Sequence, residues 1–278
     1  MEDLFQTTKE LCRLYNIKPV RSKGQNFLIE EKIYDEIAAA AELKPDDTVL
    51  EVGPGLGFLT ARLAARVKKV IAVELDDKLA EVLKFGLEAK GVKNVQVVND
   101  DILELRAASY ELRDYKIVAN LPYNITSIFL RKILEAENKP NLMVLMLQKE
   151  VVERICAKAG EMSMLAVSVQ FYAEPELIEI VPKNYFWPEP EVLSAIIKLK
   201  IKSRVPDIDE KNFFRLVKFG FSAKRKMLKN NLAAGWRLDQ AEVEKIIIQA
   251  GFNPKIRAQE LSLDDWLKLF SEFERHML

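Results

Sequence analysis

Histidine is almost absent from this 278-residue sequence, because the single one is His276, next to the C-terminus. Catalytic triads and multi-histidine metal sites need imidazoles inside a folded domain, so the sequence argues against both. Cysteine is scarce as well: Cys12 and Cys156 are isolated and match no disulfide or zinc spacing. We expect two free thiols, a reducing compartment and no bound metal.

Net charge and long apolar runs are also missing. The 42 basic and 42 acidic residues cancel, so any basic surface must be local. No apolar run approaches the roughly 20 residues that span a bilayer. The N-terminal stretch MEDLFQTTKELCRLYN is charged and amphipathic and lacks the apolar core of a secretory signal. These absences predict a cytoplasmic protein that does not enter membranes.

Short β-branched runs alternate with helical patterns in the first two thirds of the chain. Continuous apolar strands separated by amphipathic helices are typical of a parallel sheet covered on both faces, so we predict an α/β, Rossmann-like fold. The last two runs are too close for a helical crossover, so one antiparallel strand is expected. The predicted strands are TVLEV (48–52), KVIAVE (69–74), VQVV (95–98), KIVA (116–119), LMVLMLQ (142–148), ELIEIV (176–181) and LSAIIKLK (193–200).

The pattern changes after Pro206, because only helical periodicity follows. Gly235 and Gly251 are expected to break these helices. We therefore predict two domains, an α/β domain over residues 1–205 and a small all-α domain over residues 206–278.

A glycine-rich loop, VLEVGPGLGFLTARLA, joins the first of these strands to a helix through Gly53, Gly55 and Gly57. Glycine permits positive φ and close approach of a ligand to the backbone. Glu74 ends the next strand, where a carboxylate can accept hydrogen bonds from a ribose diol. Phe58 occupies the sixth position of the loop, where a dinucleotide fingerprint has its third glycine, which argues against NAD. The alternative is a tight turn that binds no ligand.

Asp101 follows the third strand of this region, in VVNDDIL. Its carboxylate could accept an adenine amino hydrogen while Ile102 packs on the ring. The alternative is that Asp101 only caps the following turn or helix.

The stretch Asn120-Leu121-Pro122-Tyr123 follows the fourth strand, at the edge where open α/β sheets bind ligands. An Asn side-chain oxygen and a nearby backbone carbonyl can both accept hydrogens from one exocyclic amine. Pro122 stiffens the loop, and Tyr123 can stack on a flat base. The alternative is a structural turn with a buried tyrosine.

With these residues in view, the sequence resembles the KsgA family of small-subunit ribosomal RNA adenine dimethyltransferases, whose relatives include the Erm large-subunit enzymes. The matching stretches are GQNFL (24–28), LEVGPGLGFLT (50–60), VELD (73–76), NDDIL (99–103), ANLPYNI (119–125), MLQKEV (146–151), FWPEPEVLSAIIKL (186–199) and FSAKRKMLKNNL (221–232).

The resemblance implies S-adenosylmethionine as the methyl donor and a class I methyltransferase sheet. It implies contacts to the donor from Asn26, Leu28, Gly53, Gly55, Glu74, Leu75, Asp101, Ile102 and Asn120. It also implies that Asn120, Leu121, Pro122, Tyr123 and Phe186 act on the target adenine, with the two aromatic rings on either side of the base. The alternative for Phe186 is a side chain that fills the core after Pro182.

A basic interval lies between Lys211 and Leu238, which holds eight Lys and Arg and no Asp or Glu. Such runs are often only solvated helix faces, so charge alone leaves contact with RNA open. The resemblance favours contact through Lys218, Lys224, Arg225, Lys226 and Lys229. We expect the phenylalanines among them to pack in the helical core.

The function implied by the resemblance is dimethylation of two adjacent adenines near the 3′ end of 16S rRNA, within the small ribosomal subunit. The family suggests a monomer that acts during ribosome biogenesis. Alternatives are an Erm-like 23S rRNA dimethyltransferase, a non-catalytic assembly factor and a small-molecule methyltransferase.

Overall fold

The computed structural model describes residues 3–20, 24–104 and 112–277, and all elements below belong to these ranges. The strands are β1 Phe27–Leu28, β2 Thr48–Val52, β3 Lys69–Glu74, β4 Val95–Asn99, β5 Tyr115–Asn120, β6 Leu142–Gln148, β7 Ala173–Val181, β8 Phe186–Trp187 and β9 Ser194–Ile201. The α-helices are α1 Leu4–Leu14, α2 Glu31–Ala40, α3 Phe58–Ala64, α4 Asp77–Ala89, α5 Thr126–Glu135, α6 Lys149–Ile155, α7 Met164–Tyr172, α8 Glu210–Gly220, α9 Leu228–Trp236, α10 Gln240–Gln249 and α11 Leu263–Met277. Short 3₁₀ turns cover Tyr123–Ile125, Lys183–Tyr185 and Ala258–Glu260.

Seven of the described strands form one sheet in the order β4-β3-β2-β5-β6-β9-β7. Neighbouring strands from β4 to β6 run parallel, whereas β9 is antiparallel to β6. The predicted Rossmann-like sheet with one antiparallel strand is thereby confirmed. The chain proceeds from β2 to β3 and β4 on one side and then continues with β5 on the other. The strand order therefore reverses between β2 and β5, and ligands bind at the carboxyl edge beside such a switch point.

The Pro-rich connection between β7 and β9 does more than link two strands. It carries β8, which pairs antiparallel with β1 so that Leu28 lies opposite Phe186. Two-residue strands carry no periodicity, and the sequence predicted neither of them. The pairing joins the GQNFL segment to the FWPEP segment.

Side chains on both faces of the central strands are buried, which explains why their apolar runs are continuous. In β3, Val70, Ile71 and Ala72 are all 0 % exposed. Val70 belongs to a cluster that includes Ile37 of α2 and Leu63 of α3. Burial of each large side chain contributes about 1.5–3 kcal/mol, so the strand ends are held in a fixed register.

The chain forms two compact units. The first comprises Met1–Val152 and Glu174–Ile201, and the second comprises Glu153–Ala173 and Lys202–Leu278. The later segment of the second unit begins at Lys202, close to the predicted boundary at residues 205 and 206. The earlier segment, Glu153–Ala173, was predicted to belong to the first domain. The predicted division into functional domains stays a prediction.

The described part of the second unit after Pro206 is helical, as predicted. Gly251 follows α10 with φ +82, so it does mark a helix end. Gly235 is the last residue but one of α9, so a helix break does follow it, but the residue in the left-handed capping conformation is Arg237, with φ 59. Glycine is needed at 235 for close packing, because a Cβ there would come within 2.3 Å of the Phe219 ring. Within the described ranges, no helix is both long and apolar enough to cross a bilayer.

Candidate functional site

A cavity of about 230 Å³ lies at the carboxyl ends of β2, β3, β4 and β5. Every residue that the resemblance assigned to the donor lines it. These residues are Asn26, Leu28, Gly53, Gly55, Glu74, Leu75, Asp101, Ile102 and Asn120. The strand-end residues meet because the carboxyl ends of parallel strands share one edge. That they bind a cofactor stays a prediction.

The glycine loop between β2 and α3 lines the cavity. Gly55 has φ +57, and a Cβ there would lie 3.5 Å from the Phe27 ring. Gly57 has φ +83, and a Cβ there would lie 2.4 Å from Leu83 Cδ1. Larger residues would strain the backbone at both positions and would collide with Leu83 at the second. The loop therefore requires glycine for its own shape as well as for any ligand.

Glu74 ends β3 and is held from two sides. Its Oε2 accepts from the Gly55 N–H and its Oε1 from the Asp76 N–H, each at 3.0 Å. Burial raises the pKa of this carboxyl, while the two backbone hydrogen bonds oppose the rise. The carboxylate is thus oriented before any ligand arrives, and each oxygen keeps a lone pair for a hydroxyl.

Asp101 caps a turn and also lines the cavity, and its contact with a ligand stays a prediction. Its Oδ1 accepts from the Leu103 N–H at 2.8 Å, so it does cap the turn that follows β4. The residue also lines the cavity, together with Ile102 and Leu75. Leu75 is 64 % exposed, so an apolar surface is available beside the carboxylate for a flat ring.

The loop after β5 closes the cavity on its other side. Asn120 and Pro122 line the cavity, whereas Leu121 is buried and donates its N–H to the Met146 carbonyl at 3.2 Å. A Cβ on Gly24 would lie 3.1 Å from Pro122 Cβ. The GQNFL segment therefore packs directly on the NLPY loop.

Besides Leu121, two further predicted residues lie apart from the described lining. Tyr123 is half-buried, and its hydroxyl lies 2.6 Å from the Ser194 hydroxyl. Phe186 is 3 % exposed and packs in the core cluster that contains Leu28 and Tyr34. The structure therefore brings Asn120 and Pro122 to the cavity, and it does not place the Phe186 ring there.

Glu51 is a site residue to which the sequence reasoning gave no role. It lines the cavity at 1 % exposure, and neither carboxyl oxygen has a hydrogen-bond partner among the described residues. Burial raises the pKa of Glu51 to about 8. Two neighbours modify this rise in pKa. The charge of Glu74 adds to it, and the Thr60 hydroxyl opposes it although Thr60 and Glu51 fall short of hydrogen-bond geometry. The available signal was a carboxylate inside the otherwise apolar run TVLEV.

The charge of the cavity is one-sided. Its described lining contains five acidic side chains, from Glu51, Glu74, Asp76, Asp100 and Asp101, and no Lys, Arg or His. Glu51, with a pKa of about 8, adds its charge fully only when a bound cation favours the ionised form. Such a lining repels phosphate groups and attracts a cationic ligand. Among the described residues, no group of three or more His, Cys, Asp or Glu could hold a metal ion.

The basic residues predicted to bind RNA lie in the second unit. Lys218 at the end of α8 and Lys224, Arg225 and Lys226 in the turn before α9 are exposed. Lys229 differs, because its Nζ lies 2.5 Å from Oε2 of Glu244 on α10.

The aromatic residues of the interval pack among the helices, as expected. Phe213 is 0 % exposed, while Phe219 and Phe221 contact Trp236 and Trp266. Sequence alone could not show the Lys229–Glu244 pair, because its acid lies outside the basic interval.

Known proteins resemble the chain over almost its full length. Residues 18–275 match the family model described as "Ribosomal RNA adenine dimethylase". The "Ribosomal RNA small subunit methyltransferase A" of Dehalococcoides mccartyi (strain CBDB1) is 45% identical over 276 residues, which cover 97% of this chain and 94% of the relative.

Two solved structures share the fold. A dimethyladenosine transferase from Plasmodium falciparum superposes with a TM-score of 0.78 at 26% identity, covering 88% of this chain and 96% of that one. The 23S rRNA methyltransferase ErmE superposes with a TM-score of 0.74 at 30% identity, covering 90% of this chain and 100% of that one.

Proposed function

We propose that this chain, which belongs to the ribosomal RNA adenine dimethylase family, transfers methyl groups from S-adenosylmethionine to the N6 amines of two adjacent adenines near the 3′ end of 16S rRNA. The relative named for the small subunit shares more sequence with the chain than ErmE does, which favours the small subunit. The observation that carries the proposal is that one cavity joins five acidic side chains to the Asn120–Pro122 loop. We place the enzyme in the cytoplasm as a monomer that acts during ribosome biogenesis, as the family resemblance implies.

The cavity residues fit S-adenosylmethionine. When bound, this donor supplies an electrophilic methyl group on a sulfonium that needs no further activation. Glu74 would accept the ribose hydroxyls, and Asp101 would accept the adenine amine, with Leu75 and Ile102 against the ring. Glu51 would pair with the ammonium group, because it is the buried carboxylate without a partner among the described residues. The absence of basic residues from the described lining disfavours a phosphate-bearing cofactor.

The loop after β5 would hold the target amine. The Asn120 side-chain oxygen and the Leu121 carbonyl would accept its two hydrogens, which leaves the nitrogen lone pair facing the methyl group. We prefer the Leu121 carbonyl because that of Pro122 already accepts from the Ile125 N–H at 3.2 Å. These acceptors would also stabilise the positive charge that develops on the nitrogen. The amine then loses its proton to water, so no catalytic base is required.

Aromatic rings would hold the base after it leaves its stack. The Tyr123 ring is proposed to stack on one face of the base, because the residues before and after it in the chain, Pro122 and Asn124, line the cavity. Phe186 is proposed to stack on the other face of the base. Only the family resemblance supports this role, because the Phe186 ring packs in the core.

RNA would contact the exposed cations of the second unit, which are Lys218, Lys224, Arg225 and Lys226. Phosphate attraction of this kind is sensitive to salt and independent of sequence. Lys229 was predicted with them, and we propose that it contributes less because Glu244 neutralises it.

Transfer of a labelled methyl group to isolated small and large ribosomal subunits tests the proposal. We expect label in the small subunit, on adenines near the 3′ end of its RNA, when the subunits come from cells that lack this protein. Label only in the large subunit would favour the Erm-like function, for which the ErmE likeness is the supporting observation. Tight binding without transfer would favour a non-catalytic assembly factor.

A further inference from the structure

The phenol of Tyr123 is tied to a buried serine. Its hydroxyl oxygen lies 2.6 Å from Ser194 Oγ, and either atom can be the donor. Ser194 is 0 % exposed and begins β9 opposite Gln148 of β6. Directly before it, the Leu193 carbonyl accepts from the Lys149 N–H at 2.9 Å. Because the antiparallel ladder fixes the serine backbone and the side chain is fully buried, its hydroxyl has little freedom to move.

Tyr123 is therefore held at both ends. Its backbone begins a 3₁₀ turn in which the Ile125 N–H donates to the Pro122 carbonyl at 3.2 Å. Its hydroxyl is held by Ser194. Burial raises the pKa of the Tyr123 phenol, so the group stays neutral and keeps the hydrogen bond at physiological pH. With both ends held, the side chain cannot change χ1, and so cannot swing its ring to another place, without breaking that bond.

We propose that Ser194 is a positioning residue that holds the Tyr123 ring in place, through χ1, beside the target adenine, an inference that rests on the proposed function. Stacking needs the ring to lie against the base, so a ring free to swing about χ1 would hold the base less often in the reactive position. Ser194 is outside the described cavity lining, so it acts through Tyr123 and not on the cofactor.

The test compares Ser194→Ala, Tyr123→Phe and the double variant, with Ser194→Cys as the conservative replacement. Tyr123→Phe keeps the ring and removes only the hydroxyl. We expect each single variant to lower kcat for methyl transfer to small subunits about fivefold, the factor that one net hydrogen bond contributes. The KM for the subunit and the affinity for S-adenosylmethionine should stay within about twofold, because binding surfaces are unchanged. The double variant should be no slower than either single one, and Ser194→Cys should lie between wild type and Ser194→Ala.

Several outcomes would overturn the inference. Losses that multiply in the double variant would show that the two hydroxyls act separately. A Ser194→Ala crystal structure with the Tyr123 χ1 angle and ring position unchanged from wild type would remove the positioning role, whatever the kinetics. Unchanged kcat in Ser194→Ala, with an active wild type, would sink this inference and leave the proposed function standing. A wild type that methylates no ribosomal subunit would sink both.

Discussion

Replacing Glu51 with glutamine should stabilise the cofactor-free protein and weaken cofactor binding at the same time. The carboxyl is 1 % exposed, lines the cavity and has no hydrogen-bond partner among the described residues. A buried carboxylate without a partner costs free energy, whereas a neutral amide of the same shape costs less. Such a cost is expected where a charge is kept for a ligand.

The magnitude follows from the pKa, which burial raises from 4.5 to about 8. Below pH 4.5 the group is protonated in the folded and the unfolded chain and has no effect on stability. Above that value the unfolded chain releases its proton while the folded chain holds it, so stability falls by about 1.4 kcal/mol for each pH unit up to about 8. Between pH 5 and pH 8, wild type should lose roughly 3–4 kcal/mol relative to Glu51→Gln, because the slope levels off near both pKa values.

Cofactor binding should favour wild type over Glu51→Gln, whereas stability without cofactor should favour the variant. An ammonium group beside Glu51 favours its charged form, so binding to wild type should release a proton and tighten by up to about tenfold per unit between pH 6 and pH 7.5. Glu51→Gln should lose this pH dependence. It should also bind about 10-fold to 100-fold more weakly at pH 7.5, as expected for one charge-assisted hydrogen bond.

Two measurements check the reasoning. Urea unfolding of the cofactor-free proteins at pH 5, 6.5 and 8 gives the stability difference, and calorimetry in buffers of different ionisation enthalpy gives the proton release. Asp100→Asn, which removes an exposed carboxylate from the same cavity, controls for loss of charge alone. A stability difference that does not change with pH would mean that the Glu51 proton is not linked to folding. Equal cofactor affinity in the two proteins would remove Glu51 from the ammonium role.

Three further predictions concern the other proposed contacts. Asn120→Ala should lower single-turnover methyl transfer by about 100-fold or more while cofactor affinity changes only a few fold, and unchanged turnover would remove Asn120 from the reaction. Glu74→Ala should weaken S-adenosylmethionine binding by about 1.5–3 kcal/mol in calorimetry, and unaltered affinity would refute the ribose assignment. Alanine at Lys224, Arg225 and Lys226 together should weaken small-subunit binding and reduce the slope of log affinity against log salt by up to about 2–3, whereas an unchanged slope would place the RNA elsewhere.

Features that depend on one local pattern could be predicted from the sequence. The apolar runs gave the strand positions to within about three residues, as for ELIEIV (176–181) against Ala173–Val181. The residues at strand ends, such as Glu74, Asp101 and Asn120, could be expected to meet because topology alone gathers them at one edge.

Features that depend on a distant partner could not be predicted. Gly235 looks only like a helix break until the Phe219 ring is seen beside it. Lys229 looks like a free cation until α10 brings Glu244 to it. The direction of the Phe186 ring depends on the short pairing of β8 with β1, which has no periodicity to read.

The zero net charge conceals two local fields of opposite sign, and the proposed reaction needs both. The cavity in the first unit gathers carboxylates that suit a cationic donor, and the turn before α9 in the second unit presents cations that suit RNA phosphates. A uniformly basic chain of this size would attract RNA more strongly, but its own field would oppose the donor. Gathering one sign at each of these two places would allow a neutral protein to bind two ligands of opposite charge. Overall composition is therefore a poor guide to its partners, whereas the position of each charge in the fold is informative.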